Sequence, residues 1–288
     1  MIRALSPMVI GLRTPRRSTP KSLLQQPLTD LAFTAELLTL PGYDTLAEQY
    51  EQIPVDAILR TLRQFKQQIA DALQPELLHC YRQLPRQAYA YQPEQTGSRQ
   101  LQAVCLSYLA FSGHEDLLLA HYQQADNMTD RLAAIKAAVF ASLPVAETML
   151  KDLGERYGAD PQVFDKWASL QAVSPAASVF SQLQKLTECS QFSWTNPNRV
   201  RAVYGAFAMQ NPEQFHRADG KGYQVLADVI GKLDPINPQL TARLVTPLLS
   251  WQRFDPQRQQ FMQAQLKLLL ALPDISNDLY EKVSRSLP

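Results

Sequence analysis

The sequence is poor in the residues from which strands, disulfide frameworks and metal sites are built. It has 10 glycines, 3 cysteines and 4 histidines in 288 residues. Runs of alternating valine, isoleucine and threonine are few, whereas leucine, alanine and glutamine are abundant and favour helices. We therefore predict an all-α chain in which strands are nearly absent.

The cysteines Cys80, Cys105 and Cys189 are odd in number and far apart along the chain. This pattern does not suit a disulfide framework and is typical of reduced thiols in a cytosolic protein. We expect buried, small apolar side chains at all three positions and a cytoplasmic location.

Long apolar runs and a strong net charge are also missing. No stretch of 18 apolar residues occurs, so we expect no membrane span. The formal net charge of +1 gives no overall field that would attract nucleic acid or a membrane surface. The 45% apolar content is enough to bury a large core.

Recognised catalytic and metal-binding motifs are absent. No two of the four histidines are spaced as a helical i, i+4 pair, and the chain contains neither HExxH nor CxxC. Gly220 and Gly222 follow no predicted strand, which argues against a dinucleotide fingerprint. We assign no catalytic residue and no metal ligand, and we expect His216 to face solvent at a helix end.

The N-terminal segment, residues 1–28, differs from the rest. It carries five cations and no acid, and prolines at positions 7, 15 and 20 interrupt its short apolar patches. We predict that residues 1–28 are a disordered or non-native segment, and that residues 29–288 form one helical domain.

From Leu31 onward, amphipathic segments of roughly 10 to 18 residues alternate with short breaks. Six breaks pair a capping side chain with a proline that can start a helix: Asp160-Pro161, Ser174-Pro175, Asn196-Pro197, Asn211-Pro212, Asn237-Pro238 and Asp255-Pro256. The clearest predicted helices are 54–73, 99–111, 130–143, 257–272 and 276–287. Roughly 14 to 16 helices in short hairpins predict an irregular solenoid or arch with superhelical, HEAT-like stacking and a concave face.

Residues 196–223 place two cations where a helix disfavours them. With Asn196 as the cap and Pro197 first in the helix, Arg199 and Arg201 lie near the positive end of the helix dipole. Either both side chains reach solvent, or the helix presents positive charge to an anion.

Five segments carry a resemblance to a known family: DNMTDRLAAIKAAV (126–139), FDKWASLQAVSPAASVF (164–180), NPNRVRAVYGAFAMQNPEQFHRADGKGY (196–223), INPQLTARLVTPLLSWQRFDPQRQQFM (236–262) and SNDLYEKVSRSL (276–287). Together they closely resemble the C-terminal helical domain of bacterial aminopeptidase N, a family of zinc alanyl aminopeptidases of the gluzincin type. The resemblance runs in order from about Leu28 to the end of the chain.

The resemblance implies a domain that closes over a catalytic cleft and leaves a cavity for short peptides. It covers none of the family's three preceding domains, which hold the zinc, the general-base glutamate and the site for the substrate's amino terminus. This suggests a truncated or frame-disrupted gene, or an artificial boundary. The implied partners are that catalytic domain and short peptides, and a docking surface left bare would favour self-association.

The resemblance also implies three substrate-binding residues that line the cavity: Arg201, Arg243 and Gln239. The two guanidinium groups would orient a peptide's carboxylate while its amino end lies at the zinc. The alternative is that both arginines form ion pairs that stabilise the arch. Arg199, two residues from Arg201 on a helix, is expected to point away.

Two other functions remain open at the level of sequence. The helical pattern alone would also fit an independent helical-repeat module that binds proteins. An autonomous hydrolase conflicts with the missing metal ligands, so we do not expect the chain to be catalytic alone.

Overall fold

The structure is a computed structural model, and it describes residues 20–25, 30–84 and 87–287. Within these ranges the chain forms helices and no strand, as predicted. The α-helices in chain order are α1 (Pro20–Gln25), α2 (Leu31–Leu38), α3 (Tyr43–Ala47), α4 (Val55–Gln83), α5 (Pro93–Leu109), α6 (Glu115–Gln124), α7 (Met128–Phe140), α8 (Val145–Tyr157), α9 (Pro161–Ala172), α10 (Val179–Glu188), α11 (Pro197–Val200), α12 (Ala206–Gln210), α13 (Pro212–Phe215), α14 (Lys221–Leu233), α15 (Pro238–Leu244), α16 (Thr246–Leu249), α17 (Pro256–Leu270) and α18 (Asn277–Ser286). No helix in these ranges is long and apolar enough to cross a membrane.

Five of the six predicted proline starts begin helices as expected. In each of these, the side-chain oxygen of the residue before the proline accepts a backbone N–H from the first turn. The prediction at Ser174-Pro175 is wrong. Ser174 Oγ instead accepts the Ala176 N–H at 3.3 Å in a turn, and the next helix begins at Val179.

Helix α4 is longer than the predicted segment 54–73, because it continues through Pro75 to Gln83. A proline inside a helix removes one hydrogen bond and usually ends or kinks the helix. Here the buried stripe continues beyond it through Leu77 and Cys80, which are 0% and 1% exposed. Burial of that stripe offsets the lost hydrogen bond.

Six residues of the N-terminal segment lie within the described part of the chain. Pro20–Gln25 is a helix, with proline at its first position. Leu24 is buried, and Lys21 Nζ lies 3.0 Å from Glu76 Oε1 on α4. The remainder of the predicted disordered segment lies outside the described residues.

Two hydrophobic cores hold the helices together. One is built mainly by α2 and α4–α8, the other by α3, α9 and the helices that follow it. Helix α4 contributes to both, through Val55 and Ile58 at its start and Leu73 and Leu77 further along. This long helix therefore links the two halves.

The chain also closes on itself, which a linear solenoid does not do. The Ile53 N–H donates to the Arg253 carbonyl at 2.6 Å. Arg253 Nη2 donates to the carbonyls of Ala47 and Tyr50 at 3.0 and 2.9 Å. Beside them, Arg258 Nη2 lies 2.8 Å from Asp56 Oδ1. These contacts join segments about 200 residues apart.

The cysteines are free thiols, as expected, but the expectation of burial is wrong for Cys189. Cys80 and Cys105 are buried, while Cys189 is only partly so. The thiols of Cys80 and Cys105 are hydrogen-bonded across α4 and α5, and this contact and burial raise the pKa of Cys105.

Candidate functional site

The segment from Pro197 to Gln210 is one helix with a wider turn in its middle. Asn196 caps it through the Asn198 N–H at 3.0 Å. Helices α11 and α12 are joined by a π turn over Arg201–Gly205. Such turns occur often at functional sites, because they change the direction in which side chains leave a helix. Arg201 is the first residue of this turn.

Arg199 points into the protein, away from Arg201. It is 6% exposed and forms an ion pair with the carboxylate of Asp165 on α9. Its Nε donates to the Gln191 carbonyl and its Nη1 to the Pro161 carbonyl, both at 3.0 Å. The guanidinium also lies 4.9 Å from the ring centre of Phe164. An internal carboxylate therefore compensates this cation, so Arg199 neither reaches solvent nor binds an external anion.

Arg201 is exposed and lines an open cavity of about 870 Å³ between α7, α9 and the π turn. Lys136 of α7 and Lys166 of α9 line the same cavity. Asp165 also lines it, but its carboxylate already binds Arg199. Within the described residues, no acceptor hydrogen-bonds or ion-pairs with the Arg201 guanidinium. The cavity thus presents three cations and one carboxylate that is already paired.

The positive character extends beyond the cavity wall to Lys66 of α4. Its ammonium lies 5.7 and 5.2 Å from the ring centres of Tyr108 and Phe111. Burial, followed by the nearby charge of Lys136, lowers the pKa of Lys66 to about 8. An anion beside Lys136 would relieve this repulsion.

Gln239 and Arg243 lie on α15 and are both exposed. Helix α15 packs against the π turn, since Leu244 Cδ2 is 3.8 Å from where a β-carbon on Gly205 would lie. Neither side chain lines the cavity that holds Arg201, and neither pairs with another described residue. Of the three residues carried over from the resemblance, the structure brings only Arg201 to this cavity. The alternative ion pairs are not formed by Arg201 or Arg243 in the described part of the chain.

Lys136 and Lys166 were missed by sequence reasoning. Lys136 shares α7 with Arg131, and Lys166 is the one cation of α9. A cation on an amphipathic helix is typical of a solvated face. The helix spacing alone contains no signal that would bring them to one cavity.

The expectation for His216 is wrong. It is 8% exposed, its Nδ1 lies 2.9 Å from the Tyr223 hydroxyl, and its ring stacks on Phe254 at 4.6 Å. Burial, followed by the charge of Arg258, lowers its pKa to about 3. His216 directly follows the four-residue helix α13. There it contacts Tyr223 of α14 and Arg258 of α17.

The described donor groups of this chain do not assemble a metal site. In the ranges that the structure describes, no three side chains of histidine, cysteine, aspartate or glutamate converge as ligands. The resemblance implies zinc in another domain of the full-length enzyme, and the described donors of this chain do not form a site for it.

Comparison with known proteins gives the family. A family model described as a domain of unknown function with ARM repeats, DUF3458_C, matches residues 14–288. The chain belongs to this family. Aminopeptidase N of Escherichia coli K12 is 37% identical over 270 residues, covering 93% of this chain and 31% of the relative. Aminopeptidase N of Haemophilus influenzae is 36% identical over 259 residues, covering 90% and 30%.

A solved structure agrees with these relatives. The crystal structure of Legionella pneumophila aminopeptidase A in complex with aspartic acid matches with a TM-score of 0.85 at 26% identity, covering 98% of this chain and 35% of that one. The chain thus spans about a third of the length of its relatives and corresponds to their C-terminal helical domain. The resemblance and the helical-repeat fold are confirmed. The family match begins at residue 14 rather than near Leu28.

Proposed function

We propose that this chain acts as the helical domain of a cytoplasmic zinc aminopeptidase that removes N-terminal amino acids from short peptides. In this proposal it caps the catalytic cleft and forms one wall of the substrate cavity. The observation that carries the proposal is Arg201, an exposed arginine without a partner among the described residues, in a cationic cavity of a domain whose relatives are aminopeptidases.

The chemistry of a short peptide suits this cavity. A peptide with its amino end at a catalytic centre carries its carboxylate several ångströms away, and that carboxylate needs a positive partner. Arginine binds carboxylates through two parallel hydrogen bonds, which fix orientation as well as attract charge. Lys136 and Lys166 would add attraction without directional constraint.

Arg243 and Gln239 are proposed as a second group on the same face. Their helix packs beside the π turn, and both side chains are free to move toward a bound peptide. Long, exposed side chains lose rotamer freedom when they bind. We therefore expect smaller effects from these two residues than from Arg201.

Bond cleavage is assigned to another domain. The described donor groups do not fit zinc, so the proposal places the metal and the general base in the catalytic domain. This chain's own residues bind and orient the peptide's carboxyl end. Positioning of this kind speeds a reaction by holding the scissile bond in place before chemistry begins.

A chimeric enzyme tests the proposal. The chain replaces the homologous segment of Escherichia coli aminopeptidase N, with which it aligns over 270 residues. We expect a chimera that hydrolyses alanyl tripeptides and leaves the amino termini of folded proteins intact. The matched control is the same enzyme without this segment.

Two results would contradict the proposal. One is a folded chimera that trims folded proteins as readily as tripeptides, since the cleft would then not be capped. The other is stoichiometric zinc with peptide turnover in the purified chain alone, which would make it an autonomous hydrolase.

A further inference from the structure

A second cavity lies away from Arg201 and shares no lining residue with the first. It has a volume of about 310 Å³ and is formed by the first half of α5, the end of α6, the start of α7 and residues 87–89. This volume is at the lower end of the range for small-molecule sites.

Two buried polar side chains on α5 form its inner wall. Ser98 and Gln102 lie four residues apart, on one face of the helix, and are 7% and 5% exposed. The Ser98 Oγ is fully enclosed and has no hydrogen-bond partner, and the Gln102 amide makes no hydrogen bond within the described part of the chain. Buried polar groups are nearly always paired. The Gln102 amide therefore offers an unused donor and acceptor to a ligand in the cavity, whereas the enclosed Ser98 hydroxyl does not reach it.

His121 of α6 stands beside them. It is 5% exposed and lines the cavity, and its Nδ1 lies 2.9 Å from the Tyr81 hydroxyl. This contact holds the imidazole in place, so the polar wall is rigid.

The rim of the cavity is negative. Glu94, Asp126 and Asp130 line it, and none of them forms an ion pair with a residue that the structure describes. Asn127 Nδ2 donates to Asp126 Oδ1 at 3.0 Å and to Asp130 Oδ2 at 2.8 Å, which holds the two carboxylates together. The hydrogen bond from Asn127, followed by that from the Tyr89 amide, keeps the pKa of Asp126 below its usual value.

Arg99 is the one cation among the described lining residues, and it does not neutralise this rim. Arg99 lies with its guanidinium 5.0 Å from the ring centre of Tyr89 and donates to Gln95 Oε1 and Thr96 Oγ1, each at 3.3 Å. Three carboxylates against one guanidinium leave the mouth of the cavity attractive to a cation.

We propose that this cavity binds a small primary amine that also carries an amide group. The ammonium would lie among Asp126, Asp130 and Glu94 at the rim, and the amide would pair with Gln102 inside. The site is independent of the peptide-binding role proposed for Arg201.

Titration of the purified 288-residue chain with glycinamide tests the site, with calorimetry and ¹H–¹⁵N NMR shifts as readouts. We expect saturable one-to-one binding of glycinamide, with shifts confined to α5, α6 and the start of α7. Acetamide lacks the ammonium, and N-acetylglycine is an anion, so neither should bind. Putrescine lacks the amide and should bind more weakly. Absence of saturable glycinamide binding, as in a cavity that holds only solvent, would overturn the proposal.

Variants separate a binding role from a structural one. Gln102→Met should weaken glycinamide binding about tenfold, and should leave Tm unchanged or higher because an unpaired buried polar group is removed. Asp126→Asn, at an exposed position, should weaken binding to a similar extent. Ser98→Ala removes an enclosed hydroxyl and should leave glycinamide affinity unchanged. Gln100→Met, exposed on the same helix but outside the cavity, is the control. Glycinamide affinity unchanged in Asp126→Asn and Gln102→Met would overturn the site.

Discussion

Arg199 and Arg201 leave one helix two residues apart and reach opposite environments. Arg199 is 6% exposed and is paired with Asp165, whereas Arg201 is exposed and lines the cationic cavity. Arg199 therefore contributes to the folded structure, whereas Arg201 is available to solvent or a ligand. This division of roles can be measured.

The first prediction concerns stability. Arg199→Met should lower the free energy of unfolding by about 1–3 kcal/mol, because it leaves two backbone carbonyls and the partly exposed Asp165 carboxylate without their donor. Arg201→Met is the matched control and should change stability by less than about 0.5 kcal/mol. Urea unfolding followed by circular dichroism measures both. Equal losses for the two variants would contradict the division of roles.

The sequence could predict the helix but not the fate of its first arginine. Asn196-Pro197 correctly indicated the cap and the helix start, and the two-residue spacing correctly separated the two side chains. Asp165 lies 34 residues earlier in the chain. No local pattern indicates which of the chain's many carboxylates will be brought to Arg199.

The second prediction concerns pH and His216. Its pKa is about 3 in the folded protein, against 6.5 when unperturbed. Below pH 6.5 the unfolded chain therefore binds a proton at this imidazole, whereas the folded protein does not. Stability is therefore lost as pH falls from 6.5 toward 3, by about 1.4 kcal/mol per pH unit. Between pH 7 and pH 5 we expect the wild type to lose about 2 kcal/mol more than His216→Gln.

Urea unfolding at both pH values measures this difference. His79→Gln, at an exposed position, is the control and should keep the wild-type slope. A His216→Gln variant with an unchanged slope would show that the imidazole takes up its proton in the folded protein.

The buried position of His216 shows the limit of local reasoning. A polar residue after a four-residue helix has no periodicity from which a buried face could be recognised. Its burial depends on Phe254 and Arg258, which are brought to it by closure of the chain through Arg253 and Asp56. A repeat pattern in the sequence does not predict contacts of this kind between distant segments.

The third prediction compares two glycines of α14. A β-carbon on Gly222 would lie 2.2 Å from the Phe215 carbonyl oxygen, and backbone cannot move aside cheaply. Gly222→Ala should therefore destabilise by about 3 kcal/mol or more, as strained core substitutions do. At Gly231 the nearest atoms are the Leu272 methyl groups at 3.9 Å. Gly231→Ala should stabilise by about 0.5–1 kcal/mol, because alanine has less freedom to lose in a helix.

Thermal unfolding of the two variants gives the sign of each effect. A tolerated Gly222→Ala would mean that α13 and α14 are not in close contact. The pair lies in one helix, so differences in helix propensity cancel.

The candidate site was only partly predictable. The resemblance pointed to Arg201, Arg243 and Gln239, and the proline starts placed all three on short helices. Lys136 and Lys166 belong to the candidate site only because α7 and α9 pack beside the π turn. That packing depends on side chains in the two cores, so it cannot be derived from the residues of the site.

The most direct test of the central claim uses the chimeric aminopeptidase with two alanyl tripeptides, one with a free carboxylate and one with a C-terminal amide. For Arg201→Met we expect kcat/KM to fall by about 10- to 100-fold on the free-carboxylate peptide, as when a bidentate charged contact is lost, and to change little on the amide. Arg201→Lys should recover part of the loss. Equal changes on both peptides, or none on either, would contradict a role for Arg201 in binding the peptide's carboxylate.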